Sequence, residues 1–443
     1  MYLDELADQL AALTPALTDD HLERAGLCVL DALACVYGGR KLPWVAHARA
    51  VADAGGAGES AVWASGGARH GLADAVFANS VGCHSLLYED THPESRVHPG
   101  TVAVPAALGV GELVGASGAG VLRAVVLGYE AMAQLARTAL TEDFVARGWR
   151  ASGVFGPVGA VAAAAYLFEL DRATTVHALG IAAGSAAGVC EWAPAGTTEV
   201  FFQPASAARA GIVAVLLARA GATGAGSAVE GPFGLRRAFG GTADGCGEPD
   251  VTTERLAIDR AFFKAHPSCA FTQHAIDAAV RLHARGIDPD SVTTATIHTS
   301  AAAATYPGCD NADSFATPIA RQMSLQFGVA AALTDGLLAP GRYEGPVDAG
   351  IAALAARTRV VVDPAYDRAC PERLDARVQL DLTDGETVVA TSAEHVALAP
   401  ADVPGKFRAL AAPVLGEAAA GEIARVLCGP GEWAARDLVT RLG

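Results

Sequence analysis

The stretch Ala151-Ser152-Gly153-Val154-Phe155-Gly156-Pro157-Val158-Gly159-Ala160-Val161-Ala162-Ala163-Ala164-Ala165-Tyr166-Leu167-Phe168 carries no charged side chain. It approaches the length of a membrane span, as does a second uncharged stretch from Ala173 to Cys190. Both are rich in Gly and Ala and lack strongly lipophilic runs, so they read as closely packed, buried helices of a soluble protein. The same texture extends outward from residue 5 to about 265. Thr18 or Asp19 caps a helix that carries Leu22, Val29 and Leu33 and stops at Gly38-Gly39. Further helices are expected over Thr101 to Val114, Val121 to Leu140, Pro157 to Phe168 and Ala205 to Arg219, with no β alternation between them. After His266-Pro267 the pattern changes. Thr294 to Thr299 alternates as a strand does, Val360-Val361-Val362 is a β-branched run, and Ala376 to Leu382, then Asp384-Gly385 and Thr387-Val388-Val389, spell a hairpin. Helices are expected over Thr272 to Arg285 and Ala320 to Leu338, and the chain turns helical again from about Pro404 to Arg425. The expected fold is therefore mainly α. A large all-helical domain, residues 1–266 plus 396–443, would receive a smaller α+β domain, residues 267–395, as an insertion.

A chain of 443 residues with a net charge of −16 repels phosphate backbones and anionic lipid, which moves nucleic acid and membrane surfaces down the list of partners. With 51% hydrophobic and 18% charged residues, disorder is excluded for most of it. The start, Met1-Tyr2-Leu3-Asp4-Glu5-Leu6-Ala7-Asp8, is acidic where a secretion signal needs positive charge, so a cytoplasmic location is expected. Nine cysteines (28, 35, 83, 190, 246, 269, 309, 370 and 428) with no C-x-x-C spacing argue against a disulfide framework or thiolate zinc, and most are expected as reduced core residues. The sequence has three lysines, Lys41, Lys264 and Lys406.

Nucleotide-binding, hydrolase and zincin motifs are absent. The nearest glycine cluster, Gly109-Val110-Gly111 with Gly115, has the wrong spacing and lies in a helical pattern. Chemistry concentrates instead in Asn79-Ser80-Val81-Gly82-Cys83-His84-Ser85-Leu86-Leu87-Tyr88-Glu89-Asp90-Thr91-His92-Pro93-Glu94-Ser95-Arg96-Val97-His98-Pro99-Gly100. Three histidines, two acids beside a Thr and a helix N-terminus near Thr101 converge there, and free N–H groups at such a terminus suit a substrate carboxylate. Two other readings compete. Asp90, His92 and His98 as metal ligands match no tight spacing template. As plain structure, His84 is a core histidine and Asp90-Thr91 a loop cap. A second cluster, Ala261-Phe262-Phe263-Lys264-Ala265-His266-Pro267-Ser268-Cys269-Ala270-Phe271-Thr272-Gln273-His274, sets Lys264 among aromatic residues at the expected domain junction, where small-molecule clefts form.

These two segments together resemble the MmgE/PrpD family of 2-methylcitrate dehydratases, cis-aconitate decarboxylases and related isomerases. The resemblance extends to the Asp31 helix, to Gly156-Pro157-Val158-Gly159-Ala160, to Ala207-Ala208 through Gly221-Ala222-Thr223-Gly224, and to Ser324-Leu325-Gln326-Phe327, in the family's order. It implies a helical domain with an α+β lid domain and a homodimer. It also implies a cleft that takes small polycarboxylates with no metal and no organic cofactor. The site residues it carries over are Asp90, Thr91, His98 and Lys264. Departures accompany the matches. Leu87 stands where many members have an acid, Arg150 in Gly148-Trp149-Arg150-Ala151-Ser152 replaces a histidine, and Glu199-Val200-Phe201-Phe202-Gln203 lacks a lysine that commonly precedes the Ala-Ala helix.

The expected function is a cofactor-independent lyase, of dehydratase or decarboxylase type, forming a carbanion or enolate next to a carboxylate. His98 or Lys264 would move the proton. Arg150 would clamp a carboxylate, since arginine does not serve as a base at neutral pH. Thr91 and Asp90 would orient the substrate, Glu199 would be an extra acid or base, and Ser152, His84, Gln203, Cys269 and His266 complete the candidate binding residues. An isomerase or epimerase using the same carbanion, a biosynthetic enzyme on a larger, less acidic substrate suited to Leu87, Val200 and Phe201, and a non-catalytic binding protein are the alternatives.

Overall fold

The computed structural model describes residues 1–240, 247–370, 373–393, 396–429 and 431–443. Cys246 and the expected domain boundary at residue 395 lie outside the described residues. At the centre is the uncharged stretch quoted above, a helix over Ala151–Leu167 in which every residue but Tyr166 is buried. It packs between Gly118–Ala139 and Glu199–Arg219. The small residues permit that approach. A Cβ on Gly159 would come within 2.3 Å of Met132 Cγ, and one on Gly211 within 2.5 Å of the Pro157 carbonyl oxygen.

Two helices start earlier than expected, at Ala151 rather than Pro157 and at Glu199 rather than Ala205, so that prolines sit inside them. The helices begin at Ala151 and Glu199, ahead of Pro157 and Pro204, and Pro105 lies inside Gly100–Val114. A proline has no N–H for the carbonyl four residues before it, and the fold supplies other donors. The Thr101 oxygen, orphaned by Pro105, accepts the Ser80 hydroxyl at 2.5 Å, and the Gly153 oxygen, orphaned by Pro157, accepts the Ala187 N–H at 3.4 Å. The buried carbonyls are thus satisfied and the helices continue. A second correction concerns strands. The helical region contains a short antiparallel pair, β1 (Ala57–Ala61) and β2 (Arg69–His70).

The later part holds a four-stranded sheet of order β4-β3-β5-β6: β3 is Val292–Thr299, β4 Thr358–Val362, β5 Arg377–Leu382 and β6 Thr387–Thr391. β3 and β4 run parallel, and the β5–β6 hairpin turns at Asp384-Gly385, where Gly385 takes a φ of 89°. The helix Gln273–His283 covers β5 and β6 and packs on Leu325–Asp335. The single helix expected over Ala320 to Leu338 is two, Pro318–Met323 and Leu325–Asp335. Extended Ser324 separates them, its hydroxyl capping the Phe327 N–H at 2.8 Å.

Two apolar cores result. One joins residues from Tyr2 to Phe263 with Val403 to Leu442, and the helices Val403–Leu415 and Glu417–Leu427 lie on Asp19–Gly39. The other joins Cys269 to Ala390 with Trp44, Phe77, Trp192 and Phe201 from the helical part. Of the stretches flagged by the sequence, the first forms a 17-residue helix and the second is helical only over Arg172–Ala183. Among the described residues, Glu199–Arg219 is the helix long and apolar enough to cross a bilayer, and 56% of its apolar window is buried inside the protein.

Candidate active site

The helix Leu72–His84 ends in a turn where Leu87 takes a left-handed φ of 51°. Two of the chain's three lysines fix this turn from different directions. Lys264 Nζ donates to the Leu87 carbonyl at 2.8 Å, and Lys406 Nζ, arriving from the C-terminal helix and paired with buried Asp31 at 2.7 Å, donates to the Tyr88 carbonyl at 2.6 Å. Thr91 then exchanges both main-chain hydrogen bonds with Phe262, at 3.0 and 2.9 Å. This bridge brings the two clusters of the sequence together. Because successive side chains of extended backbone point to opposite sides, Phe262 and Lys264 face a cleft while Phe263 enters the core beneath the Arg24 guanidinium.

The same alternation separates two adjacent acids. Asp90 points away from the cleft, where its carboxylate accepts the Gly100 N–H at 3.2 Å and the Tyr129 hydroxyl at 2.8 Å. Burial pushes its carboxyl up to about 7. The helix N-terminus expected to receive a substrate is therefore already held by Asp90. Glu89, which sequence reasoning did not select, is the polar centre of the site. Its Oε1 lies 3.0 Å from His84 Nδ1, 3.0 Å from His98 Nδ1 and 3.5 Å from Lys264 Nζ, and all four side chains are nearly or wholly buried. Burial alone would raise the Glu89 carboxyl, but Lys264, His84 and His98 outweigh it and hold the group well below the ordinary carboxylate range.

An ionised carboxylate only accepts hydrogen bonds, so each Nδ1 that meets it carries the hydrogen. For His98 the Asp90 carbonyl oxygen, 3.3 Å from the same nitrogen, requires the same assignment, with the Thr91 hydroxyl alongside at 3.2 Å. Burial and Lys264 push the His98 imidazole down to about 3 against the pull of Glu89, so the ring is neutral near pH 7. A neutral ring with hydrogen on Nδ1 has its lone pair on Nε2. In His84 that lone pair faces Arg150 Nη2 at 3.4 Å. In His98, which lines the cleft, Nε2 meets no protein partner among the described residues. The Ser152 hydroxyl accepts the His98 N–H at 3.0 Å and fixes the main chain beneath the ring.

The cleft encloses about 680 Å³ including its mouth. Lys264, Arg150, Arg96, His98 and Thr91 supply its polar surface, and Leu87, Trp192, Phe262, Phe271, Met323 and Leu374 its apolar surface. Arg150 spans it, with Nη1 donating to the Tyr306 hydroxyl at 3.1 Å and the guanidinium 5.3 Å from the Trp192 ring centre. Its Nε is buried without a hydrogen-bond partner.

Of the residues named from sequence, His98, Lys264, Thr91, Arg150 and Cys269 line the cleft, while His84 and Ser152 stand directly behind His98. The others serve elsewhere. Glu199 is exposed at the start of its helix, Gln203 donates to the Val189 carbonyl at 2.8 Å, and the main chain of His266 is engaged by Gln273. Glu89 was within reach of sequence reasoning, because in an extended segment it shares a side with Thr91 while Asp90 takes the other. Tyr306, Trp192 and Phe271 had no such signal, since only the tertiary fold brings them to the cleft.

The metal reading based on Asp90, His92 and His98 is not assembled. Asp90 faces Gly100 and Tyr129, and His92 Nδ1 meets the Ser95 hydroxyl at 2.7 Å. A different trio, His84, Glu89 and His98, does bring ligand atoms within 4.8 Å of one another. Lys264 on the shared carboxylate oxygen and Arg150 on His84 already supply positive charge there, and both oppose a divalent cation electrostatically.

Comparison with known proteins gives relatives in the genus Aspergillus. The cis-aconitate decarboxylase-like protein oryM of Aspergillus oryzae is 31% identical over 229 residues, which cover 50% of this chain and 47% of that one. The cis-aconitate decarboxylase of Aspergillus terreus is 26% identical over 291 residues, covering 61% of this chain and 58% of that one. The chain thus spans about half the length of the curated relatives it matches. Residues 4–245 match the MmgE/PrpD N-terminal domain and residues 266–428 the MmgE/PrpD C-terminal domain. The order of these two matches follows the two clusters joined at the Thr91–Phe262 bridge, and the chain belongs to the MmgE/PrpD family.

Proposed function

We propose that the protein is a cofactor-independent lyase, of dehydratase or decarboxylase type, acting next to a carboxylate on a small di- or tricarboxylate-like substrate. The observation that carries this reading is the placement of His98 Nδ1 3.0 Å from the buried Glu89 carboxylate, at a cleft that also presents Lys264 and Arg150. Arg150 and Lys264 draw in the substrate carboxylates. In dehydration His98 Nε2 accepts the proton from the carbon next to the carboxylate, the enolate charge is stabilised by the same cations, and the β C–O bond then breaks as the hydroxide takes a proton and leaves as water. In decarboxylation the C–C bond breaks, its electrons form the enolate as carbon dioxide leaves, and a proton is delivered to that carbon. The cis-aconitate decarboxylase of Aspergillus terreus, to which the chain is similar, supports a carboxylate substrate. In this reading residues 267–395 act as a lid on a helical domain formed by residues 1–266 and 396–443, and the working unit is a cytoplasmic homodimer.

The apolar lining favours a second reading, a larger and less acidic substrate that places an alkyl part against Trp192, Phe271 and Met323. An isomerase that returns the proton to another face of the same carbanion uses the same residues. Incubation with cis-aconitate, citrate, 2-methylcitrate and smaller diacids, followed by NMR, tests the proposal. It predicts a new alkene or released carbon dioxide with at least one acid. Absence of both turnover and C–H exchange with alkyl-substituted and plain acids alike contradicts it.

A further inference from the structure

Cys269 and Cys309 come from segments 40 residues apart, yet their sulfurs lie 3.8 Å apart, both side chains are buried, and Cys269 also lines the cleft. The end of the helix Pro318–Met323 and the start of Leu325–Asp335 fix both. The Cys269 N–H donates to the Gln322 carbonyl at 3.0 Å, and the Cys309 carbonyl accepts the Leu325 N–H at 2.9 Å. Two sulfurs on such tied backbones need a small approach to reach a bonded separation of about 2 Å.

The two thiols differ. The Cys309 S–H donates toward the Cys269 sulfur. That hydrogen bond is the largest influence on Cys269 and lowers its pKa; Lys264 and Arg150 assist against burial, while the same bond and burial push Cys309 up. Cys269 lines the cleft and Cys309 is not among the lining residues, the placement expected of an attacking and a resolving cysteine. On this geometry we propose that Cys269 and Cys309 form an oxidation site in the cleft wall, where a hydroperoxide converts the dithiol to a disulfide.

The Cys269 thiolate attacks the terminal peroxide oxygen, the O–O bond breaks, and the leaving alkoxide, or hydroxide from hydrogen peroxide, takes up a proton to become an alcohol or water, giving a sulfenic acid. Cys309 sulfur then attacks Cys269 sulfur. The S–O bond breaks, and the hydroxide released takes the Cys309 proton and leaves as water. The two thiols are oxidised and the peroxide is reduced. Closure draws the Cys269 sulfur toward Cys309, three residues beyond Tyr306, which holds Arg150.

Treatment of the purified full chain with hydrogen peroxide, alkylation of remaining thiols and peptide mapping under non-reducing conditions tests this. The expected result is a linked peptide pair containing Cys269 and Cys309, two hydrogens lighter than the free peptides and returned to free thiols by dithiothreitol. In Cys309→Ser, and independently in Cys309→Ala, the link is lost and a dimedone adduct appears on Cys269. Recovery of both cysteines as alkylated free thiols from wild-type protein, under peroxide that oxidises exposed Cys428, would overturn the proposal, as would a link from Cys269 to Cys190 instead. The mass readout does not depend on which substrate the cleft accepts.

Discussion

The two walls of the cleft are built on different terms. The wall running from Glu89 to His98, together with Lys264, is a closed network in which one carboxylate oxygen serves two imidazoles and an ammonium. The wall formed by Ala270, Phe271, Met323 and Leu374 presents apolar side chains, with Cys269 at its edge. Arg150 ties them together through His84 on one side and Tyr306 on the other. The first wall sets protonation states and the second sets the shape of what is admitted. Changes in the first should therefore cost far more than changes in the second.

The largest effect is expected for Glu89→Gln. Loss of the buried carboxylate leaves Lys264 without its anion and both Nδ1 hydrogens without a charged acceptor, a change that destabilises by about 3–5 kcal/mol in comparable buried pairs. Chemical denaturation measures it, and turnover should fall with it. His98→Gln should leave stability near wild type while reducing kcat by roughly 10²–10⁴, the range for removing a positioned proton-transfer group. An unchanged kcat on a turned-over substrate would separate His98 from the chemistry.

Asp90→Asn separates the two adjacent acids by pH. The folded protein holds the Asp90 carboxyl near 7 because burial penalises its charge, while the unfolded chain ionises it near the ordinary value of about 3.9. Between those values the folded state binds the extra proton, so wild-type stability conferred by this group falls as pH rises. The neutral variant escapes that loss. Its stability relative to wild type should improve from pH 4 to pH 8 by about 2–4 kcal/mol, and a difference independent of pH would contradict the assignment. On the bridge to the apolar wall, Tyr306→Phe removes one hydrogen bond to Arg150 and should raise KM several-fold with kcat little changed, an effect of about 1 kcal/mol.

The division between what the sequence revealed and what it concealed follows the same physics. Helices and hairpin were legible because apolar periodicity and an Asp-Gly turn are local signals. Helix starts were misplaced at Pro157 and Ala205 because a proline is tolerated in a helix when a distant donor takes the orphaned carbonyl, as Ala187 does for Gly153. His98, Thr91, Lys264 and Arg150 were found through motif and resemblance and all reach the cleft. Asp90 was named for the site and Glu89 was not, because the sequence shows two acids together but not which side of an extended strand each occupies. Tyr306 and Trp192 carry no local mark, since their place depends on how the sheet-bearing part sits against the helices.

The imidazole of His98 offers the most direct test. With histidine labelled by nitrogen-15, the resonances of His98, assigned by comparison with His98→Gln, should report hydrogen on Nδ1 and a bare Nε2 from pH 5 to pH 8, without titration. In Glu89→Gln that preference should weaken or reverse. A doubly protonated ring near pH 7, or hydrogen on Nε2 in the wild-type protein, would contradict the assignment of His98 as the proton acceptor of the cleft.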